Sequence, residues 1–304
     1  MQKAKGITNK FIHKWRKYGD YILLGLPGFI MLFIFRYLPM GGLIVAFKDY
    51  NVRRGFFDSP WVGAKWYNML FMSDDFSIAF MNTLIISLLK LVCYFPVPII
   101  LAILLNELNK RYFARTIQAV IYLPHFISWA ILSGILFSLF SPQLGILKVL
   151  GIEKSPLLMP GTFRWLLVLT EIWKASGWGT IIYLAAISGI DPNLYEAAII
   201  DGANRFKRIW YITLPSISGT IVVLLILRLG NILDAGFGQV YMLYNASVYD
   251  VADIIDTYIF RVGLSTGRFS LATAAGLFKS VIGLILVLVS NRLAKIFNPD
   301  AGIM

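Results

Sequence analysis

Residues 191–215 read DPNLYEAAIIDGANRFKRIWYITLP, a polar stretch set between two long apolar runs. Asp191 followed by Pro192 marks a helix start, because the carboxylate can cap free backbone N–H groups and proline is preset for the first turn. Glu196 to Ile200 extend that helix with good helix formers. Gly202 permits a sharp turn, and a second short helix then leads to Pro215 and the next apolar run. The expected product is a helix–turn–helix with small side chains on one surface, acids at Glu196 and Asp201, and cations at Arg205, Lys207 and Arg208.

Outward from this loop the chain is dominated by apolar segments. Of 304 residues, 58% are hydrophobic and 14% charged, against about 25% charged in soluble domains. Mean hydropathy is +0.72. Six runs near or above the length needed to cross a bilayer cover residues 21–38, 78–105, 117–140, 165–190, 216–233 and 271–293. The second is kinkable at Pro96 and Pro98. The short run Gly41 to Phe47 is broken by Gly41-Gly42 and reads as part of the first external segment. The first run begins near Tyr21 after a basic stretch, yet it is too long for a signal peptide, lacks a small-residue cleavage site and is followed by further spans. Residues 21–293 therefore read as one transmembrane domain between a tail at 1–20 and a tail at 294–304.

The net charge of +12 is a matter of topology. Cations gather in the N-terminal tail (Lys3, Lys5, Lys10, Lys14, Arg16, Lys17) and in short loops, as they do on the cytoplasmic side of membrane proteins. No basic face interleaved with aromatic residues points to nucleic acid. Both termini and the 191–215 loop are expected in the cytoplasm. Phe11, Ile12, Trp15 and Tyr18 suit a tail helix lying on the inner leaflet as an electrostatic anchor. The single cysteine, Cys93, lies in an apolar run and reads as a buried hydrophobe.

The pattern Glu196-Ala197-Ala198, three residues, Gly202, nine residues, Ile212-Thr213-Leu214-Pro215 resembles the signature of permease subunits of ABC importers. The resemblance implies the six-helix type I permease architecture, with this loop as a coupling helix that docks in a cleft of a separate ATPase. Glu196, Ala197, Ala198, Asp201, Gly202, Ala203, Arg205 and Phe206 are its expected contact residues. The likeness extends to the carbohydrate branch, and within it to the polysaccharide type. Arg36-Tyr37-Leu38-Pro39-Met40, Ala46-Phe47-Lys48-Asp49-Tyr50 and Trp61-Val62-Gly63 are similar to that group's first external segment. Gln118 with Tyr122-Leu123-Pro124-His125-Phe126-Ile127-Ser128-Trp129 resembles a stretch around the group's third span. Glu171-Ile172-Trp173-Lys174 with Gly177-Trp178, and Gly238-Gln239-Val240-Tyr241 leading to Asp256-Thr257-Tyr258, match it further on. Where many sugar permeases carry Gly-Gly-Pro, Tyr244-Asn245-Ala246-Ser247 stands here.

Ionisable residues inside a bilayer cost roughly 2.5–3.5 kcal/mol each on insertion scales, so they usually face a cavity or a partner. Glu171 and Lys174 lie three apart and share a helix face. They read either as a local ion pair or as lining a sugar path with Trp173, Trp178 and Tyr183, whose ring faces suit pyranose rings. Asn231, Asp234 and Gln239, followed by Tyr241, read as hydroxyl-binding groups or as boundary caps. Lys90 and Lys279 read as snorkelling or as facing a second permease. His125 reads as making a structural hydrogen bond.

No phosphate-binding Gly-x-x-x-x-Gly-Lys-Ser/Thr loop and no metal-ligand spacing occurs. Within the resemblance, ATP and Mg are held by partner ATPase subunits, and this chain carries no cofactor and no catalytic residue. The implied partners are a second homologous permease, two ATPase subunits, an extracellular solute-binding protein, an oligosaccharide and membrane lipid, in a bacterial inner membrane. The alternatives are an ion-coupled secondary transporter, against which the absence of internal repeats argues, and a membrane-embedded glycan-processing enzyme.

Overall fold

The structure, a computed structural model, describes residues 18–108, 111–143 and 145–297. The basic tail with Phe11, Ile12 and Trp15 and the C-terminal tail from residue 298 lie outside the described residues. Two compact units divide between Lys65 and Trp66. Among the described residues every regular element is helical, and β-pairing is limited to two isolated bridges.

The first unit is built on α1 (Tyr18–Phe47). The expected stop at Gly41-Gly42 does not occur. The helix widens into a π turn at Phe33–Tyr37, passes Pro39, and tightens into 3₁₀ turns over Gly41–Phe47. The widened turn lets Leu38 N–H reach the Phe33 carbonyl and clears room for the ring of Pro39, which would otherwise collide with the preceding turn. After α1 the chain folds back on itself. Phe47 stacks on Trp61 with centroids 5.9 Å apart, and Lys48 Nζ donates to the Phe56 and Phe57 carbonyls at 3.0 and 3.1 Å.

The second unit holds the remaining long helices. They are α2 (Asp74–Asn106), α3 (Arg111–Tyr122), α4 (Trp129–Leu139) and α5 (Pro160–Ser188), then α6 (Pro192–Ile200), α7 (Arg205–Gly230), α8 (Phe237–Leu243), α9 (Ile255–Phe260) and α10 (Phe269–Phe297). Among the described residues, four helices are long and apolar enough to cross a membrane: α1, α2, α7 and α10. A fifth follows if the bent pair Tyr112–Phe126 and Trp129–Leu139 is one span. α5 has the length, at 29 residues, but Glu171 and Lys174 with their polar and glycine neighbours dilute its apolar character.

Two expectations are corrected here. The run 117–140 is not one straight helix, because its halves meet at 100°. Pro124 removes a backbone donor, Ile127 turns to an extended conformation, and Ser128 starts a new helix by accepting from Ile131 N–H at 3.3 Å. Nor does a separate short helix end at Pro215. Arg205–Gly230 runs through, with a π turn at Ile209–Thr213 just ahead of the proline.

α5 lies at the centre of this unit against α2, α3 and α7, while α10 packs on α7 and α9. Lipid tails are as apolar as leucine, so close packing and hydrogen bonds must hold such helices together. Gly177 shows how close: a Cβ there would sit 2.2 Å from the Ile121 carbonyl oxygen of α3. Polar bonds secure the other end. Asn82 Nδ2 donates to the Asp250 and Asp253 carbonyls at 3.0 and 3.1 Å, and Asn82 Oδ1 accepts from Arg164 Nη2 at 2.7 Å. Asp253 is buried and accepts from Thr257 Oγ1 and Arg261 Nη2, each at 2.7 Å. Burial pushes its carboxyl above the usual carboxylate range, against the pull of those two donors.

Candidate functional site

The 191–215 loop is rigid for local reasons. Asp191 Oδ1 accepts from Asn193 N–H at 2.9 Å, with Pro192 in the first turn of α6. At the other end Ala203 N–H reaches the Ala198 carbonyl at 2.8 Å and Gly202 N–H reaches that of Ile199 at 3.0 Å. That paired closure needs a left-handed residue between, and Gly202 has φ +76°. Asn204 then caps α7 by accepting from Lys207 N–H at 2.9 Å.

Two contacts seat the loop on the helices below it. Tyr195 and Thr213 hydroxyls lie 2.9 Å apart, and Arg205 Nε lies 3.8 Å from Glu107 Oε2 at the end of α2. Glu196, Ala197, Asp201, Gly202, Arg205 and Phe206 are exposed, and Ala198 and Ala203 are half-buried. Ile200 and Phe206 are 86% and 83% exposed, so the loop offers apolar side chains beside the exposed carboxylates of Glu196 and Asp201. Glu107, Tyr195 and Thr213 were not among the residues singled out from sequence, since nothing local marks them as partners.

The candidate path residues are sorted differently from expectation. Glu171 and Lys174 do not form an ion pair. Glu171 faces Lys90 Nζ at 3.7 Å and Arg228 Nη2 at 4.0 Å. Lys174 Nζ donates to the carbonyls of Ile127 (2.5 Å), His125 (2.8 Å) and Pro124 (3.4 Å). They lie where α3 breaks before α4, and of the three only that of Pro124 also takes a backbone donor among the described residues, Ile127 N–H at 3.2 Å. An ammonium has three protons, and all three are engaged there. Among the described residues His125 makes no side-chain hydrogen bond, contrary to expectation; its ring stacks on Trp178, centroids 4.8 Å apart and planes 7° apart.

Lys90 is a second correction, because it does not snorkel. It is 3% exposed and donates to the Ala235 carbonyl at 2.7 Å and to Gln239 Oε1. Gln239 has no exposed surface, and its amide nitrogen reaches the Leu167 carbonyl (2.8 Å) and Thr170 Oγ1 (2.7 Å). It is therefore a strut between α2, α5 and α8, with no polar atom left over in this conformation. Tyr183 is likewise buried, against Ala102, Ile187 and Ile217.

The remaining candidates stay at the surface. Trp173 lines an apolar groove of about 660 Å³ between α4 and α5, with Leu132, Leu139 and Trp165. Asn231 and Asp234 line a polar hollow of about 340 Å³ beside Lys279 of α10, which is itself bonded to Asp256 at 2.6 and 2.7 Å. Tyr241 sits half-buried among the rings of Phe237 and Phe260 at 5.3 and 4.8 Å. Glu171, Asn231 and Asp234 are thus gathered with Lys90 and Arg228. Trp173, Lys174 and Trp178 belong to the α3–α4–α5 side.

Long apolar helices around a buried ionic cluster, with a rigid exposed helical loop at one end, define a membrane permease. The chain belongs to the family described as "Binding-protein-dependent transport system inner membrane component", which it matches over residues 94–302. It is 47% identical to Protein LplB of Bacillus subtilis (strain 168) over 92% of this chain and 89% of that protein. It is 46% identical to the polygalacturonan/rhamnogalacturonan transport system permease protein YteP of the same strain, over 98% and 94%. A solved bacterial ABC transporter involved in the import of the acidic polysaccharide alginate superposes with TM-score 0.88 at 39% identity, covering 95% of this chain and 99% of that one. The alginate transporter in complex with its alginate pentasaccharide-bound periplasmic protein gives TM-score 0.84 at 40% identity, over 93% and 97%.

Proposed function

We propose that this chain is a transmembrane permease subunit of an ATP-driven, binding-protein-dependent importer of oligosaccharides or polysaccharide fragments. The observation that carries the coupling part is the 191–215 loop. It is capped at both ends, closed by a left-handed Gly202, braced to α7 through Tyr195 and to α2 through Arg205, and exposed on the face that bears Glu196, Ala197, Asp201 and Phe206. A short rigid helix of this kind transmits a displacement of its partner as a rigid body. The cargo rests on the relatives, whose names include a polygalacturonan/rhamnogalacturonan permease and an alginate importer.

In this reading α1, α2, the bent pair α3–α4, α5, α7 and α10 are six spans, both termini and α6 face the cytoplasm, and residues 21–293 form the permease domain. A second homologous permease completes the pathway. Two separate ATPase subunits hold ATP and Mg, and closing them draws the coupling helices together and opens the permease to the binding protein. Trp173, Trp178, Asn231, Asp234 and Tyr241 remain candidates for the sugar path. A secondary transporter that couples an ion through Glu171 and Lys174 is not favoured, because each of the two side chains has other partners.

Gly202→Asp and Glu196→Ala test the coupling role in the reconstituted importer. Both should abolish ATP-dependent uptake and weaken ATPase binding while membrane insertion persists. Normal uptake in both would remove the loop from the mechanism.

A further inference from the structure

Arg228 differs from the three lysines set among the helices of the second unit. Lys90, Lys174 and Lys279 each donate hydrogen bonds to oxygen atoms of this chain. Arg228, in the last turn of α7, donates none among the described residues. Its side chain is 37% exposed, and no carboxylate lies closer than Glu171 at 4.0 Å. Glu171 is nearer to Lys90, at 3.7 Å, so its charge is already shared with a buried ammonium. Asp234 caps its own turn by accepting from Gly236 N–H at 3.2 Å. What holds the guanidinium is an aromatic face: its carbon lies 5.2 Å from the Tyr94 ring centroid. A stacked guanidinium is oriented while its N–H fork stays free, and that fork matches the two oxygens of a carboxylate. At the end of a span and 37% exposed, such a cation is within reach of an anion from outside the chain.

We propose that Arg228, oriented by Tyr94, is a subsite for the carboxylate of a uronic acid unit, making the cargo an acidic oligosaccharide. This rests on the sugar-importer reading and adds the substrate class and the residue that reads it. Asn231, one turn further on and exposed, is placed to meet hydroxyls of the same unit.

The test uses the whole importer with its binding protein in proteoliposomes, supplied with trigalacturonate, its methyl ester, or an alginate trisaccharide. Wild type should take up either acid and respond to the ester at least about tenfold less, with the binding protein's own affinities measured separately. Arg228→Gln should lower acid uptake about tenfold or more, the range for loss of a charge-assisted hydrogen bond. Arg228→Lys, which keeps the charge and loses the fork, should recover part of the rate. Direct binding of trigalacturonate to the permease complex without the binding protein should weaken in the same order. Unchanged uptake and binding in both variants, or equal handling of acid and ester, overturns the Arg228 subsite while leaving the importer intact. A wild-type complex that moves none of the three sugars with ATP overturns the cargo reading beneath it. If Arg228→Gln does not assemble, Arg228→Lys decides alone: wild-type binding overturns the subsite, and a several-fold loss supports it.

Discussion

Lys90 and Lys174 show two ways of keeping an ammonium inside an apolar bundle. Lys90 is enclosed by a carboxylate, a glutamine and a backbone carbonyl from three different elements. Each desolvated charge needs such partners, and removing one strands the rest. Lys90→Met should therefore cost about 3–5 kcal/mol, the range for a broken buried pair. Adding Glu171→Gln should return part of it by removing the stranded carboxylate. Thermal unfolding of the purified complex reads both, and equal midpoints for single and double variants would contradict the coupling. Sequence exposes these lysines as unusual but not their partners, because Lys90 and Gln239 are 149 positions apart. The Asp191 cap and the Gly202 turn are legible because each is a bond between residues two to five apart, whereas the Asn204 cap is found only in the structure.

At the level of elements, the break between α3 and α4 and the lysine that fills it form one device. A helix that stops and restarts at 100° leaves carbonyls without their usual donors, and inside a membrane water is not there to serve them. Lys174 of α5 supplies all three protons to residues 124–127. Lys174→Met should loosen this joint without unfolding the bundle. Cysteine labelling at Ser128 should rise several-fold in the variant, and unchanged labelling would mean the break holds itself. Apolar periodicity alone reads 117–140 as one span, since composition is the same on both sides of the joint. Pro124 and Ser128 were the available signs of a break. The 100° turn, however, is set by packing against α5, which no local pattern encodes.

At the scale of the whole molecule, much of the large apolar surface is uncovered. On α1, Leu24 and Phe29 are 80% and 76% exposed, and α10 shows Leu284, Ile285 and Val289. Lipid satisfies such a surface, and so does a second helical subunit, while the exposed α6 loop is the face proposed above to meet an ATPase. Purified alone in detergent, this chain should unfold several degrees below the same chain co-purified with a second permease and ATPase, because partners that bind only the folded state stabilise it. Matching midpoints would mean it does not depend on assembly.

The absent side chain at Gly177 has a mechanical consequence. Because α3 and α5 bear on each other backbone to backbone, with no compressible group between them, they act as one stiff lever. In the coupling role proposed for α6, a stroke delivered to the adjoining end of α5 would reach α3 without slack. That lever ends at residues 127–128, beyond which α4 packs on α8 instead.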